Sequence, residues 1–504
     1  MGGSASPGNL ARLLFEAADR APGAVALELL GQDGTPEAVF TFDALRGAVR
    51  RAAGALTALE LPPQSPVLLR LGNSHRFPIA FLACVSAGLI AVPSSPLLTP
   101  RETDQLLEQT GAPLVICDGA VALPSEAALE RLSARLLPAE ALDDGTPRDP
   151  VDSNADDPAY LIFTSGTGGR PKGVLHAHRA IAARWPMDRG WTGLCADDRL
   201  LHAGAFNWTY TLGVGLLDPW RHGATALIVA GDRPSAIWPG VIERARATIF
   251  AAVPSVHRQM LRDGDARAAR FSSLRHALSA GETLRPVLLE AFTRTTGRPI
   301  FEAFGMSEIS TYISSGPETP VKPGSPGRAQ RGRRVATLTP EGRICDPGEL
   351  GILAVHRSDP ALFLNYFRDG EATQKAFCGD WFLTGDLASI DAQGYVWPQG
   401  RADDVMNAFG YRVAPEEVEA ALSGHPGVQE IAVTSVPERD GVDLITAFVV
   451  PANPETFDPG VLLAYGEKVL ARYKRPRKVV VLAHLPRTAN GKVMRKRLID
   501  ETRF

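Results

Sequence analysis

Short apolar-rich runs alternate with helical patterns through about the first 330 residues. Pro66–Leu71, Pro113–Cys117, Ala224–Ala230, Thr248–Val253 and Arg275–Ser279 have the length of buried strands. Phe42–Leu59, Trp238–Ala245 and Arg285–Thr295 carry the longer spacing of helices. Alternation of this kind predicts α/β layers around largely parallel sheets. Ile79–Pro100 has no charged residue and is about long enough to span a bilayer. Ser86, Gly88, Pro93, Ser94, Ser95 and Pro96 interrupt it. It reads as a buried helix ending near Gly88 and a strand at Leu89–Val92, with no membrane span.

The texture then changes twice. Glycine and proline become frequent between Gly316 and Gly348, and Gly351–Val355 and Tyr395–Trp397 read as strands of a smaller β unit. Beyond Gly400, Glu416–Leu422 and Val461–Arg472 read as helices, and Val428–Val436, Leu444–Val450 and Lys478–Leu482 as strands. These make an α+β unit of about a hundred residues, an ordinary domain size. The boundary falls in the polar run Gly400–Asp404.

Composition narrows the class. A chain of 504 residues is too long for one hydrophobic core. Its 53 basic and 56 acidic side chains leave a net charge of −3, so no global field points to nucleic acid or an anionic membrane. The five cysteines are scattered, with no CxxC pair, which fits reduced thiols in the cytoplasm. No basic segment followed by an apolar run opens the chain.

The sharpest local signal is Tyr160–His176, YLIFTSGTGGRPKGVLH. A strand at Leu161–Phe163 runs into a loop of glycines and hydroxyl residues. Glycines let backbone N–H groups turn toward an anion. Thr164, Ser165 and Thr167 add hydroxyl donors around Gly166, and Lys172 adds a positive charge. Such a loop suits a polyphosphate; an ordinary turn is the alternative. It is not a Walker A loop, because Pro171 and Gly173 stand where glycine and Ser/Thr are needed. His176 and His178 have no partner at metal-ligand spacing and are read as non-metal residues.

TSGTGGRPKG resembles the signature loop of the adenylate-forming superfamily, which includes acyl-CoA synthetases, luciferases and peptide-synthetase adenylation domains. Five further segments match in order: Ser279–Leu284 (SAGETL), Phe301–Glu308 (FEAFGMSE), Trp381–Ala388 (WFLTGDLA), Gly400–Glu419 and Pro486–Leu498 (PRTANGKVMRKRL). The resemblance implies an α/β fold with a large N-terminal domain of α/β layers carrying a small β subdomain, plus a small mobile α+β C-terminal domain. Residues 1–399 are expected to bind ATP and the acid, 400–404 to act as hinge, and 405–504 to carry a catalytic lysine and a thiol-step loop.

The same resemblance implies residue roles. Thr164, Ser165, Gly166, Thr167 and Lys172 hold the β- and γ-phosphates of ATP. Gly281, Glu282 and Thr283, with Ala303, Phe304, Gly305, Met306 and Ser307, contact the nucleotide, Phe304 stacking on adenine. Glu308 coordinates Mg²⁺, a hard cation suited to carboxylate oxygen. Asp386 and Arg401 bind ribose, Asp403 is the pivot, and Lys492 bridges the acid's carboxylate and the α-phosphate. Gly410 and Tyr411 approach the pantetheine arm of coenzyme A. Phe206, Asn207, Trp208, Gly305 and Ile309 line the acyl pocket.

The expected activity is AMP-forming acyl-CoA synthesis. Asn207 stands where amino-acid-activating members carry aspartate. Gly305 stands where acetate-specific members carry tryptophan. A medium-chain or aromatic acid is therefore expected. Gly168 replaces a threonine usual in the phosphate loop. The nearest alternative is an enzyme loading an acyl carrier protein in trans; an inactive nucleotide-binding scaffold is a third reading, opposed by the retained Lys172, Glu308, Asp386, Arg401 and Lys492.

Overall fold

The computed structural model describes residues 8–119, 121–164, 171–231, 233–402, 406–408, 411–413, 415–437, 443–470, 474–487 and 493–500. The chain folds into two compact units, Met1–Arg334 with His356–Asp380, and Val335–Val355 with Trp381–Phe504.

Two sheets build the first unit. One runs in parallel through Ile300–Met306, His276–Ala280, Ile249–Ala252, Arg199–His202, Thr225–Val229 and Val25–Leu30, flanked by antiparallel Pro36–Thr41 on one side and by antiparallel Ser310–Ser314, itself paired with Gly327–Ala329, on the other. The other runs through Arg135–Pro138, Leu114–Cys117, Pro66–Arg70, Ile90–Pro93 and Pro158–Thr164. It ends in antiparallel Lys172–Ala177 and Asn365–Tyr366. Leu114–Cys117 and Thr225–Val229 are buried at every position, because a parallel sheet is covered on both faces. The uncharged stretch folds as the helix Arg76–Ser86, buried from Phe77 onward, then Gly88 at φ +73° and the strand Ile90–Pro93. Among the described residues no helix is long and apolar enough to cross a membrane.

Charged pairs are buried in this unit, Arg333 with Asp359 and Arg184 with Asp218. Arg184 and Asp218, with side chains 3% and 1% exposed, meet through hydrogen bonds of 2.9 and 2.7 Å. Arg184 also donates to the Ser310 hydroxyl, which fixes the start of the strand Ser310–Ser314.

In the second unit, Val335–Leu338, Gly351–His356, Trp381–Ile390 and Tyr395–Arg401 form a sheet in that order. Val428–Pro437 pairs antiparallel with Asp443–Pro451, which pairs parallel with Lys478–Val481. The helices Pro415–Leu422 and Pro459–Val469 bury Val418, Leu422 and Leu462 in one cluster with Ile431, Val433, Ala447 and Val449 from the strands.

Candidate active site

The expected phosphate loop joins two strands of a hairpin. Thr164 faces Lys172 across Pro158–Thr164 and Lys172–Ala177, and its hydroxyl donates to the Lys172 carbonyl at 3.4 Å. Ser165, Gly166, Thr167 and Gly168 lie outside the described residues. The exposed Lys172 ammonium stands 4.9 Å above the ring of Tyr366, on the strand paired to the hairpin's edge.

A second hairpin, Ile300–Met306 to Ser310–Ser314, carries FGMSE at its turn. Phe304 is half-buried and edge-on to Tyr312 at 6.0 Å, with the rings 78° apart. Gly305 has no room for a side chain: a Cβ would stand 2.2 Å from the Ser310 carbonyl oxygen. Ala303 and Ile309 are buried, and Met306 and Ser307 are half-buried. Glu308, which could have been a surface residue, is only 7% exposed. Its carboxylate accepts from the Tyr366 hydroxyl at 2.8 Å, and its carbonyl accepts from Phe363 N–H at 2.7 Å.

Beside this hairpin, His276–Ala280 ends at Gly281, whose φ of +91° suits glycine. Glu282 accepts from the Ser255 N–H and hydroxyl at 3.1 and 2.9 Å, while Thr283 is exposed. The loop is closed by Leu284 N–H, which donates to Glu302 at 2.9 Å. Burial pushes the Glu302 carboxyl up to about 8, against the lowering effect of that bond.

The segment expected at the acyl pocket follows the strand Arg199–His202. Phe206 is buried and stacked on Phe77 at 5.1 Å, while Asn207 and Trp208 are half-buried. His202, 1% exposed, accepts from Gly204 N–H at Nδ1 (2.9 Å) and lies edge-on to Tyr210 at 4.4 Å. Burial pushes its pKa down to about 3, so the ring is neutral; with Nδ1 accepting, the proton sits on Nε2. His202, Ala252 and Ala280 end parallel strands at their carboxyl side, where open α/β sheets bind ligands.

In the second unit, Arg401 donates to Asp386 at 3.3 Å and to the Thr384 carbonyl at 2.9 Å. Gly385 between them has φ +76°, and a Cβ there would stand 2.7 Å from the Arg401 guanidinium. Gly400, at φ +96°, lies so close to the Glu416 carboxylate that a Cβ would overlap it. Asp403, Gly410 and Lys492 lie outside the described residues, as does the side chain of Tyr411 in the strand Tyr411–Val413.

Among the described residues no group of three His, Cys, Asp or Glu side chains could hold a metal ion. His178 accepts from Leu10 N–H at 3.0 Å, and His176 stacks on Tyr160 at 4.6 Å.

The model of the AMP-binding enzyme family matches residues 14–367, and that of the AMP-binding enzyme C-terminal domain matches residues 417–492. The chain belongs to the AMP-binding enzyme family. It is a member of the adenylate-forming superfamily, an AMP-forming acid–thiol ligase of the acyl-CoA synthetase group. A 3-hydroxybenzoate–CoA/4-hydroxybenzoate–CoA ligase of Thauera aromatica is 30% identical over 485 residues, 92% of each chain. ATP-bound MatB from Rhodopseudomonas palustris superimposes with a TM-score of 0.90 at 27% identity, covering 98% of both chains. A benzoate CoA ligase from Burkholderia xenovorans LB400 gives 0.87 at 28% identity, covering 97% of this chain and 99% of its own. These similarities agree with the expected α/β fold with a large N-terminal and a small C-terminal domain.

Tyr366, Glu302 and His202 were not singled out from sequence. Tyr366 lies nearly 200 residues from the loop it meets, and nothing local marks it. Glu302 and His202 each sit among apolar neighbours, a weak signal of a polar group committed inside the protein.

Proposed function

We propose that this enzyme uses ATP to activate an aromatic or medium-chain carboxylic acid and passes the acyl group to coenzyme A. Gly305 carries the acid assignment. Backbone packing against Ser310 excludes a side chain there, so no indole can close the pocket from this position. Asn207 supports it by offering a neutral amide, where binding an amino group calls for a carboxylate. The hydroxybenzoate and benzoate ligases named above act on aromatic acids and align over nearly the whole chain.

In this reading, Thr164, Ser165, Gly166, Thr167 and Lys172 hold the outer phosphates. Gly281–Thr283 and Ala303–Ser307 flank the base, and Asp386 and Arg401 hold ribose. Glu308 fits Mg²⁺, because Mg²⁺ is commonly bound by one or two carboxylates together with substrate phosphates and water. The ion's contribution is to neutralise phosphate charge. The acid's carboxylate oxygen attacks the α-phosphorus and the bond to pyrophosphate breaks, so positioning and electrostatics supply most of the catalysis. Lys492 stands at the reacting centre. Residues 405–504 then turn about Asp403 from residues 1–399, and Gly410 and Tyr411 admit the thiol, whose sulfur attacks the acyl carbon and expels AMP. The five free cysteines fit a cytoplasmic enzyme.

Turnover of acetate, butyrate, octanoate, benzoate and a panel of free amino acids, with ATP, Mg²⁺ and CoA, tests the acid. Strict acetate or amino-acid preference overturns it. Adenylate formed without any acyl-CoA transfers the assignment to carrier-protein loading.

A further inference from the structure

Resting on the phosphate and metal roles just proposed for Lys172 and Glu308, we propose that Tyr366 is a positioning residue that sets both groups for ATP. One side chain touches both. Its hydroxyl donates to the Glu308 carboxylate at 2.8 Å, and its ring lies under the Lys172 ammonium at 4.9 Å.

Each contact answers a physical need. A carboxylate on a residue that is only 7% exposed requires hydrogen-bond donors, and a bond to a charged acceptor is stronger than one between neutral groups. The phenol also restricts the direction in which Glu308 presents its remaining lone pairs. Lys172 is exposed and long, with rotamer freedom to lose on binding phosphate. The aromatic face gives its ammonium a resting place without neutralising it.

Tyr366 is itself firmly held. It is 7% exposed, pairs with Val174 in the sheet, and its N–H donates to the Thr373 hydroxyl at 2.9 Å. Its ring is tilted against Phe363 at 4.9 Å, and Phe363 N–H binds the Glu308 carbonyl. The segment 363–367 thus straps the phosphate hairpin to the Glu308 turn. Leu364 N–H and Phe367 N–H donate to the Leu175 and Gly173 carbonyls at 2.8 and 2.7 Å.

The two contacts are separable by substitution. Tyr366→Phe keeps the ring and removes the hydroxyl; Tyr366→Leu removes both. Calorimetric ATP binding to the full chain, in EDTA and in saturating Mg²⁺, reads them apart without turnover. For Tyr366→Phe, affinity in EDTA should match wild type while the gain on adding Mg²⁺ shrinks about tenfold, the scale of a lost hydrogen bond to a charged group. For Tyr366→Leu, affinity in EDTA should itself fall roughly two- to fivefold, as expected for an exposed cation–π contact. In a Glu308→Gln background, Tyr366→Phe should leave the Mg²⁺ gain unchanged.

A wild-type Mg²⁺ gain fully retained in Tyr366→Phe overturns the hydroxyl's role. Equal EDTA affinities for the Phe and Leu variants overturn the ring's role. A wild-type affinity indifferent to Mg²⁺ instead overturns the metal assignment of Glu308, which separates the two failures. Thermal melts check folding, and if the Leu variant does not fold, the Phe variant alone and in the Glu308→Gln background decides the proposal.

Discussion

Replacing Glu302 with glutamine tests the buried carboxyl beneath the Gly281–Leu284 loop. Glu302 is 8% exposed, and burial raises its pKa from 4.5 to about 8. The folded chain therefore keeps this proton through a window in which the unfolded chain has lost it. Stability rises with pH only where the unfolded state binds more protons. Here it binds fewer, so the Glu302 contribution is complete below pH 4.5 and is lost as pH rises toward about 8. At about 1.4 kcal/mol per pH unit, the roughly three units between pH 5 and pH 8 correspond to on the order of 4 kcal/mol. Glutamine has nearly the same shape, stays neutral and can accept from Leu284 N–H. It should match wild type near pH 5 and be more stable near pH 8. In a unit of several hundred residues, 1 kcal/mol moves Tm by about 1–2 °C, so the gain should be roughly 4–8 °C. Melting both proteins between pH 5 and pH 8 measures it. Parallel Tm-against-pH curves for the two, or a glutamine variant less stable at every pH, would refute the reasoning.

Gly385→Ala should force a strained φ and press on the Arg401 guanidinium, raising the KM for ATP about tenfold, the scale of one charged hydrogen bond; an unchanged KM removes the pair from ribose binding. Arg184→Met removes the hydrogen-bonded partner of buried Asp218, leaving only the Arg221 guanidinium at 4.0 Å, and should cost about 3 kcal/mol, whereas Arg184→Met combined with Asp218→Leu should cost less. Denaturant melts compare them, and additive losses would contradict the pairing argument. Lys492→Ala should slow pyrophosphate release at least ~100-fold while thiol transfer from preformed adenylate persists; normal adenylation would sink the lysine assignment.

What the sequence disclosed follows from how local each signal is. Strands such as Leu114–Cys117 announce themselves because burial on both faces demands an unbroken apolar run. Helices such as Phe42–Thr57 follow from their spacing, here capped by the Thr41 hydroxyl. The loop after Phe163 could be read as phosphate-binding, and the ordered motifs supplied its chemistry. The depth of Glu308 and its partner could not be read. Both depend on Tyr366 arriving from a distant segment, and a lone glutamate in an uncharged stretch looks the same whether exposed or buried. Nor did anything local signal that residues 356–380 belong with the first unit while 335–355 join the second.

That discontinuity bears on how the protein is made. The outer edge of the hairpin strand Lys172–Ala177 is covered by Asn365–Tyr366, which pair with Leu175 and Val174. A ribosome working at about 5–20 residues per second adds the intervening roughly 190 residues in about 10–40 s. Throughout that interval the nascent chain carries a strand with one open edge, a template for pairing with another chain. Slow translation between the two segments should therefore increase aggregation of nascent chains, and a fragment ending at Arg334 should need a chaperone where the full-length chain does not.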